Sequence, residues 1–242
     1  EEILLNSKNK LKNTDLKKFK SYLLRRYHKE PMAYILGYKH FWKHKFLTNK
    51  SVLIPRPDTE LIVEETLKHL PIDKSKKILD VGTGSGCIVV SLIKERPKCA
   101  ATAIDISRKA LNVAKTNAKL HQLENKINFV NIDIDKYKSS NYDLIISNPP
   151  YINCIELNRL DDDIKLHEPK IALSGGYDGF RDIKKVIIVS KKLLKLNGKL
   201  IIEIGHKQKN QSVKILNENG YYINKISKDL AGKDRCIIST KL

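Results

Sequence analysis

The chain is poor in the residues that mark secreted, membrane-spanning or zinc-held proteins. It has four cysteines in 242 residues: Cys87, Cys99, Cys154 and Cys236. No two stand at C-x-x-C spacing, so no zinc pattern is present and no metal is expected. Three of the four fall in apolar or strand-like segments. Such thiols suit a cytoplasmic protein, or an organelle matrix if the cell is eukaryotic. Long apolar runs are missing too. Stretches such as Ile88 to Val90 and Val186 to Val189 are far too short to cross a bilayer. The first twenty or so residues are rich in Lys and Asn and lack the apolar centre of a signal peptide. Acidic residues are scarce relative to basic ones, 27 against 46, which gives a formal net charge of +19. A balance of that sign can serve a polyanionic partner. Here the lysines are spread along the whole chain, as a Lys-, Asn- and Ile-rich composition alone would place them. The charge leaves room for proximity to RNA or the ribosome, but no stable nucleic-acid partner is expected.

What is present reads as a folded chain of one large domain, or one domain with a small appendage. It is 41% hydrophobic and 30% charged, enough to bury a core. The segment up to about Lys29 has a helical pattern, with Leu16, Phe19, Leu23 and Tyr27 on one face and Thr14 as candidate cap. From Tyr34 to Ile54 aromatic and β-branched residues suggest a hairpin, with its polar turn at Asn49-Lys50-Ser51. A helix over about Asp58 to Leu70 follows Pro55 and Pro57. Beyond Pro71, short apolar strands alternate with helices. Strands are expected near 78–81, 100–104, 127–132, 144–147, 199–204, 221–226 and 235–240. Helices are expected at 86–96, after Ser107, at 182–196 (stopped by Asn197-Gly198) and from the strand ending at Ile204 to about Asn219. Strands that are apolar on both faces imply a mostly parallel α/β sheet covered on both sides. In such a sheet, ligands sit at the carboxyl ends of the strands.

Two loops in those positions carry chemistry. Gly82-Thr83-Gly84-Ser85-Gly86 follows the first strand of the alternating region and opens a helix. Glycines there permit a sharp turn and close approach of backbone to a ligand. The third glycine of a dinucleotide fingerprint is replaced by Cys87, and no Lys-Ser/Thr pair of a P-loop is present. A nucleoside with an amino-acid tail fits better than a pyrophosphate. Asp105 ends the second strand about twenty residues on, where a carboxylate can accept both ribose hydroxyls. Asp133, after the third strand, is placed to receive an adenine amino group, with Ile134 against the ring. The second loop is Asn148-Pro149-Pro150-Tyr151. An amide nitrogen is a poor nucleophile because its lone pair is delocalised. The Asn148 oxygen and the Pro149 carbonyl, aimed by proline's fixed φ, can each accept one N–H of a planar NH₂. They would thereby favour the charge that develops as a sulfonium methyl arrives. Tyr151 can stack on the flat amide.

Gly82-x-Gly84-x-Gly86, Asp105 and Asn148 to Tyr151 together resemble the class I methyltransferases that act on planar NH₂ groups. Further segments resemble the protein-(glutamine-N5) methyltransferases, the HemK or PrmC family. They are Arg25-Arg26, Pro31, Tyr34-Ile35-x-Gly37, Pro55 to Glu60, Glu168-Pro169-x-x-Ala172-Leu173, Gly175, Asp178-Gly179, and Asp229 to Arg235. The resemblance runs from about Arg25 to the end of the sequence. It implies a Rossmann-like, seven-stranded catalytic domain over 58–242, a hairpin linker over 33–57 and a helical amino-terminal domain over 1–32, shorter than the family norm. It also implies S-adenosylmethionine as cofactor, on Gly82, Thr83, Gly84, Ser85, Gly86, Asp105, Asp133, Ile134 and Asn148. Asn148, Pro149, Pro150 and Tyr151 would hold the substrate. Ile134 stands where members often carry an aromatic residue. The reaction implied is methylation of the glutamine of the Gly-Gly-Gln motif in class I peptide chain release factors, by a monomer. The same loops also admit a nucleic-acid adenine-N6 methyltransferase, although no added domain for gripping and flipping a base is visible. The charge admits a basic ribosome- or RNA-binding module.

Overall fold

The computed structural model describes residues 12–242; the part of the amino-terminal pattern before Lys12 lies outside the described residues. Helix α1 (Asn13–Tyr27) is joined to a short helix α2 (Met32–Leu36) and an antiparallel hairpin of β1 (Tyr38–Phe41) and β2 (His44–Leu47). After a 3₁₀ turn (Pro57–Thr59) come α3 (Glu60–Leu67), β3 (Lys77–Val81), α4 (Cys87–Glu95), β4 (Ala100–Asp105), α5 (Arg108–Leu120), β5 (Ile127–Asn131) and β6 (Tyr142–Ser147). Two short helices, α6 (Cys154–Asn158) and α7 (Asp162–Lys165), precede α8 (Arg181–Leu193), β7 (Leu194–Glu203), α9 (Lys209–Glu218), β8 (Tyr221–Lys228) and β9 (Asp234–Lys241).

The seven strands β3 to β9 form one sheet in the order β5-β4-β3-β6-β7-β9-β8. The first five are parallel, and β9 runs antiparallel to both β7 and β8. Successive residues such as Ile78 and Leu79, or Leu200, Ile201 and Ile202, are all fully buried. Both faces are therefore covered, as the continuous apolar runs require. One face packs Ile78, Ile146 and Ile201 under α4 and the hairpin's Phe41 and Phe46. The other packs Leu79, Ile145 and Ile202 against α8 and α9 through Ile183, Ile187 and Leu216.

Several local expectations are corrected. The hairpin turns at Trp42 and Lys43, not at Asn49-Lys50-Ser51. Trp42 adopts φ 52° there. It is held by two tertiary bonds, its N–H to Glu60 and its indole N–H to Glu95, which outweigh the local cost of a bulky residue in the left-handed region. Helix α8 stops at Leu193, before Asn197-Gly198, because Leu194 is extended and already paired with Tyr142. Asn197 (φ 60°) lies inside β7, where the register to β6 shifts. Thr14 does not cap α1: the extended residue is Lys12, which places Thr14 inside the first turn. The face of Leu16, Phe19, Leu23 and Tyr27 is exposed, Tyr27 to 81%. What ties α1 down is polar: Arg25 pairs with Glu30 and donates to the carbonyls of Tyr34 and Ile35, and Arg26 pairs with Asp163.

Asn117 of α5, fully buried, joins the hairpin to the glycine loop. Its Oδ1 accepts the Leu47 N–H at 2.7 Å, and its Nδ2 donates to the carbonyls of Leu47 at 3.0 Å and Ser85 at 2.8 Å. Asn117→Leu would keep the volume but strand three backbone groups, the buried Ser85 carbonyl and two of half-buried Leu47. It is expected to cost roughly 3 kcal/mol of stability, read from chemical denaturation.

Candidate active site

A cavity of about 360 Å³ opens at the carboxyl ends of β3, β4 and β6, within the size range of small-molecule sites. Gly82, Gly84 and Gly86 all have positive φ, at 72°, 56° and 79°. Space beside Gly82 is open to 4 Å, so glycine is needed there for conformation. Gly86 does not line the cavity. It heads α4, and a methyl on it would fall 3.1 Å from the Cβ of Ala114. Thr83 and Ser85 are buried and touch the cavity. The Thr83 hydroxyl donates to Asp80 at 2.7 Å, whose carboxyl burial pushes up to about 7.

Asp105 is buried at the end of β4. Its Oδ2 accepts the Gly84 N–H at 2.9 Å and its Oδ1 the Ser107 N–H at 2.8 Å. Burial raises its pKa, and the two backbone donors oppose that. Each oxygen keeps an acceptor site for a further donor. Ser107 caps α5 as expected, accepting the Ala110 N–H. Asp133, expected to receive an adenine amino group, is already partnered by a lysine. Lys185 of α8 donates to both its oxygens, at 2.9 and 3.0 Å, and also pairs with Asp135 at 2.7 Å. Burial pushes Asp133 up, but Lys185 and the Asp135 N–H hold it below its ordinary value. Ile134 is buried and lines the cavity, as do Ile132 and Ile106.

The loop after β6 is fixed from beneath. The Ser147 hydroxyl donates to the Val81 carbonyl at 2.9 Å. Asn148 Nδ2 donates to Thr59 Oγ1 at 3.1 Å, which identifies Oδ1 as the remaining acceptor. Pro149 and Pro150 line the cavity. Tyr151 does not. Its hydroxyl donates to Glu203 Oε1 at 3.2 Å and its carbonyl accepts from Gln208 at 3.0 Å. Burial and the Glu203 charge both raise the Tyr151 pKa, keeping it a donor. Burial pushes Glu203 up to about 7, against Thr59, Arg235 and Tyr151. Gly175 must lack a side chain, since a methyl there would meet the Pro150 carbonyl at 2.8 Å.

Segments far apart in sequence pair with one another near this loop. Glu168 accepts the Ile54 N–H at 3.1 Å and pairs with Arg56. Arg235 pairs with Asp229 at 3.0 Å and Asp58 at 3.3 Å. Glu203 and Lys185 carried no signal that sequence reasoning used. A carboxylate closing the apolar run Leu200-Ile201-Ile202 was the available clue for Glu203. Among the described residues, no three His, Cys, Asp or Glu side chains converge to hold a metal ion, and no helix is long and apolar enough to cross a membrane.

The fold and the cavity place the chain in a class: the class I S-adenosylmethionine-dependent methyltransferases, with their seven-stranded, mostly parallel sheet. The Methyltransferase small domain family model matches residues 59–160. A ribosomal protein L11 methylase from Lactobacillus delbrueckii subsp. bulgaricus superposes with a TM-score of 0.59 at 20% identity, covering 79% of this chain and 82% of that one. The chain is 37% identical to a bifunctional methyltransferase of Rickettsia bellii over 98% of its own length and 48% of that protein's, so it spans about half of that relative. It is 35% identical to the release factor glutamine methyltransferase of Caulobacter vibrioides, over 99% of this chain and 83% of that protein. The chain belongs to the release factor glutamine methyltransferase family.

The residues present fit S-adenosylmethionine. A buried carboxylate with two spare acceptor sites suits ribose hydroxyls, the glycine loop leaves open room beside it, and Ile106, Ile132 and Ile134 offer an apolar slot for a base.

Proposed function

We propose that this chain methylates the side-chain amide nitrogen (N5) of the glutamine in the Gly-Gly-Gln motif of class I peptide chain release factors, supporting translation termination. The observation that carries the reading is the orientation of Asn148. Its Nδ2 is engaged by Thr59, so its oxygen is the group left to meet a substrate N–H beside the Asp105 cradle. When bound, S-adenosylmethionine supplies an electrophilic methyl carbon. Asp105 would hold the ribose hydroxyls, Gly82 to Gly86 would form the cradle, and Ile134 would pack on the adenine. Asp133 would reach the adenine amino group only with acceptor capacity shared with Lys185.

Asn148 Oδ1 and the Pro149 carbonyl accept the two hydrogens of the substrate amide. This fixes the nitrogen and shifts electron density onto it. The same two dipoles stabilise the positive charge that appears on nitrogen during transfer. Holding the nitrogen in line at near-contact distance supplies much of the acceleration. One amide proton is lost after transfer, so no strong base is needed. Pro149 and Pro150 would line the glutamine's approach, while Tyr151 acts from behind the loop. The corresponding division of the chain is a helical segment over 1–32, a hairpin linker over 33–57 and a catalytic domain over 58–242, working in the cytoplasm as a monomer.

Incubation of the protein with labelled cofactor and a release factor is expected to add one methyl group to the Gly-Gly-Gln glutamine, read by mass spectrometry of the tryptic peptide. Label entering DNA and never the release factor would overturn the reading.

A further inference from the structure

From Pro31 to Pro57 and again from Ile106 to Leu123 the sequence holds neither Asp nor Glu. The fold lays these two stretches side by side. His121 Nε2 donates to the Lys45 carbonyl at 2.9 Å, Asn117 bonds both ways with Leu47, and Val52 packs with Ala110 and Val113. The chain from the hairpin to Val52 therefore runs along α5 from its carboxyl end to its amino end. Apart from Leu120 at its end, the exposed side of α5 is Arg108, Lys109, Asn112, Lys115, Thr116 and Lys119. Lys45 and Lys50 stand exposed on the strip beside it. Among the described residues, Lys45 and all four basic residues of α5 have no carboxylate partner. On α8 and α9, by contrast, Lys184, Lys185, Lys209 and Lys214 each pair with one.

A Lys-rich composition scatters lysines over a surface, but it does not clear carboxylates from two segments that fold together. Lys115 and Lys119, four residues apart on one helical face, repel each other, and a polyanion laid along the helix removes that cost. The make-up of the face selects the kind of polyanion. A protein interface has an apolar centre and few lysines. Here the one large apolar side chain exposed on α5 is Leu120. Ammonium groups on flexible stems suit phosphates, which need charge more than a fixed hydrogen-bond geometry. Ala110 of α5, its cap Ser107, and Ser51 to Leu53 also line the cavity, so the strip leads to the mouth of the site. We infer that this face docks the phosphate backbone of an RNA, holding the enzyme beside a substrate that works in translation. The choice of RNA over DNA rests on the function proposed above; the phosphate contact does not. Such a contact is readily released, because its strength falls steeply with salt.

Fluorescence anisotropy of a labelled RNA duplex of about twenty base pairs, titrated with the full chain over a range of salt, tests this. Two triple variants carry the same net charge. One is Lys109→Glu, Lys115→Glu and Lys119→Glu on α5; the other is Lys74→Glu, Lys192→Glu and Lys228→Glu, and all six positions are exposed. The α5 triple is expected to lose about tenfold or more in RNA affinity, and its slope of log affinity against log salt should flatten by about two to three. The control triple should stay within about threefold, because charges remote from the contact are screened over about 8 Å at physiological salt. Wild-type cofactor Kd from calorimetry checks the fold of both. Gln at the same three α5 positions should give a smaller loss in the same direction, and it serves if the reversed triple misfolds. Equal losses in the two triples would reduce the effect to net charge and overturn the inference. So would a raised KM for a release factor in the α5 triple with RNA affinity unchanged, the mark of an acidic protein partner. Tighter binding of a DNA duplex than of the RNA would overturn it as well. The titration needs no release factor, so failure to methylate one would overturn the substrate reading alone.

Discussion

Asn148→Ala is expected to lower kcat for release-factor methylation by about a hundredfold to a thousandfold, with a much smaller change in cofactor affinity. The asymmetry follows from where each contact is needed. In the ground state the substrate amide loses one of two acceptors, a modest change because water can enter the space the side chain leaves. In the transition state, nitrogen acquires positive charge, and a dipole already fixed in place is worth more than water that must reorient. The dipole is fixed in this structure because Nδ2 is engaged by Thr59 at 3.1 Å and the preceding residue is anchored through Ser147 to Val81. Rapid-quench kinetics together with calorimetry separate the two effects. A variant with wild-type turnover would remove Asn148 from the reaction.

Asp105→Ala is expected to weaken S-adenosylmethionine binding by about 1–3 kcal/mol, roughly 5- to 150-fold in Kd. Two losses combine. The ribose hydroxyls lose their acceptors, and the N–H groups of Gly84 and Ser107, which the carboxylate accepts at 2.9 and 2.8 Å, are left unpaired. Because Gly84 is part of the cradle, the loop's left-handed path loses a brace as well. Asp105→Asn should fall between, since its single oxygen can serve only part of this set while its NH₂ confronts a backbone N–H. Calorimetric titration of the three proteins checks the order, and unchanged affinity in Asp105→Ala would separate the residue from the ribose.

Much of the site was legible because its chemistry is local. A glycine-rich turn between a strand and a helix, a carboxylate at the next strand end and an Asn-Pro-Pro-Tyr loop each need only neighbouring residues to make sense. The strands were legible for a similar reason. Short runs as apolar as Leu144 to Ile146 or Leu200 to Ile202, closed by polar residues at each end, fit a strand buried on both faces. What could not be read was set by distant partners. Asp133 is claimed by Lys185, 52 positions away. The Tyr151 hydroxyl is engaged by Glu203, also 52 positions away. Trp42 turns the hairpin because Glu60 and Glu95 hold it, against the preference of a tryptophan and in spite of the polar Asn49-Lys50-Ser51. The segments at Pro55 to Glu60, Glu168 and Asp229 to Arg235 resembled the family without an evident purpose. The structure pairs them with one another, Arg56 with Glu168 and Arg235 with Asp58 and Asp229.

Asn117 has a mechanical corollary. Its single carboxamide is bonded to Leu47 in the hairpin and to Ser85 in the cofactor cradle, so neither can swing without the other. The bend at Lys29 (φ 63°) is spanned in the same manner, by Arg25 bonded to Glu30 and to the carbonyls of Tyr34 and Ile35. The hairpin is thus a fixed arm of the catalytic body, and a partner that leaned on it would press on the cradle directly.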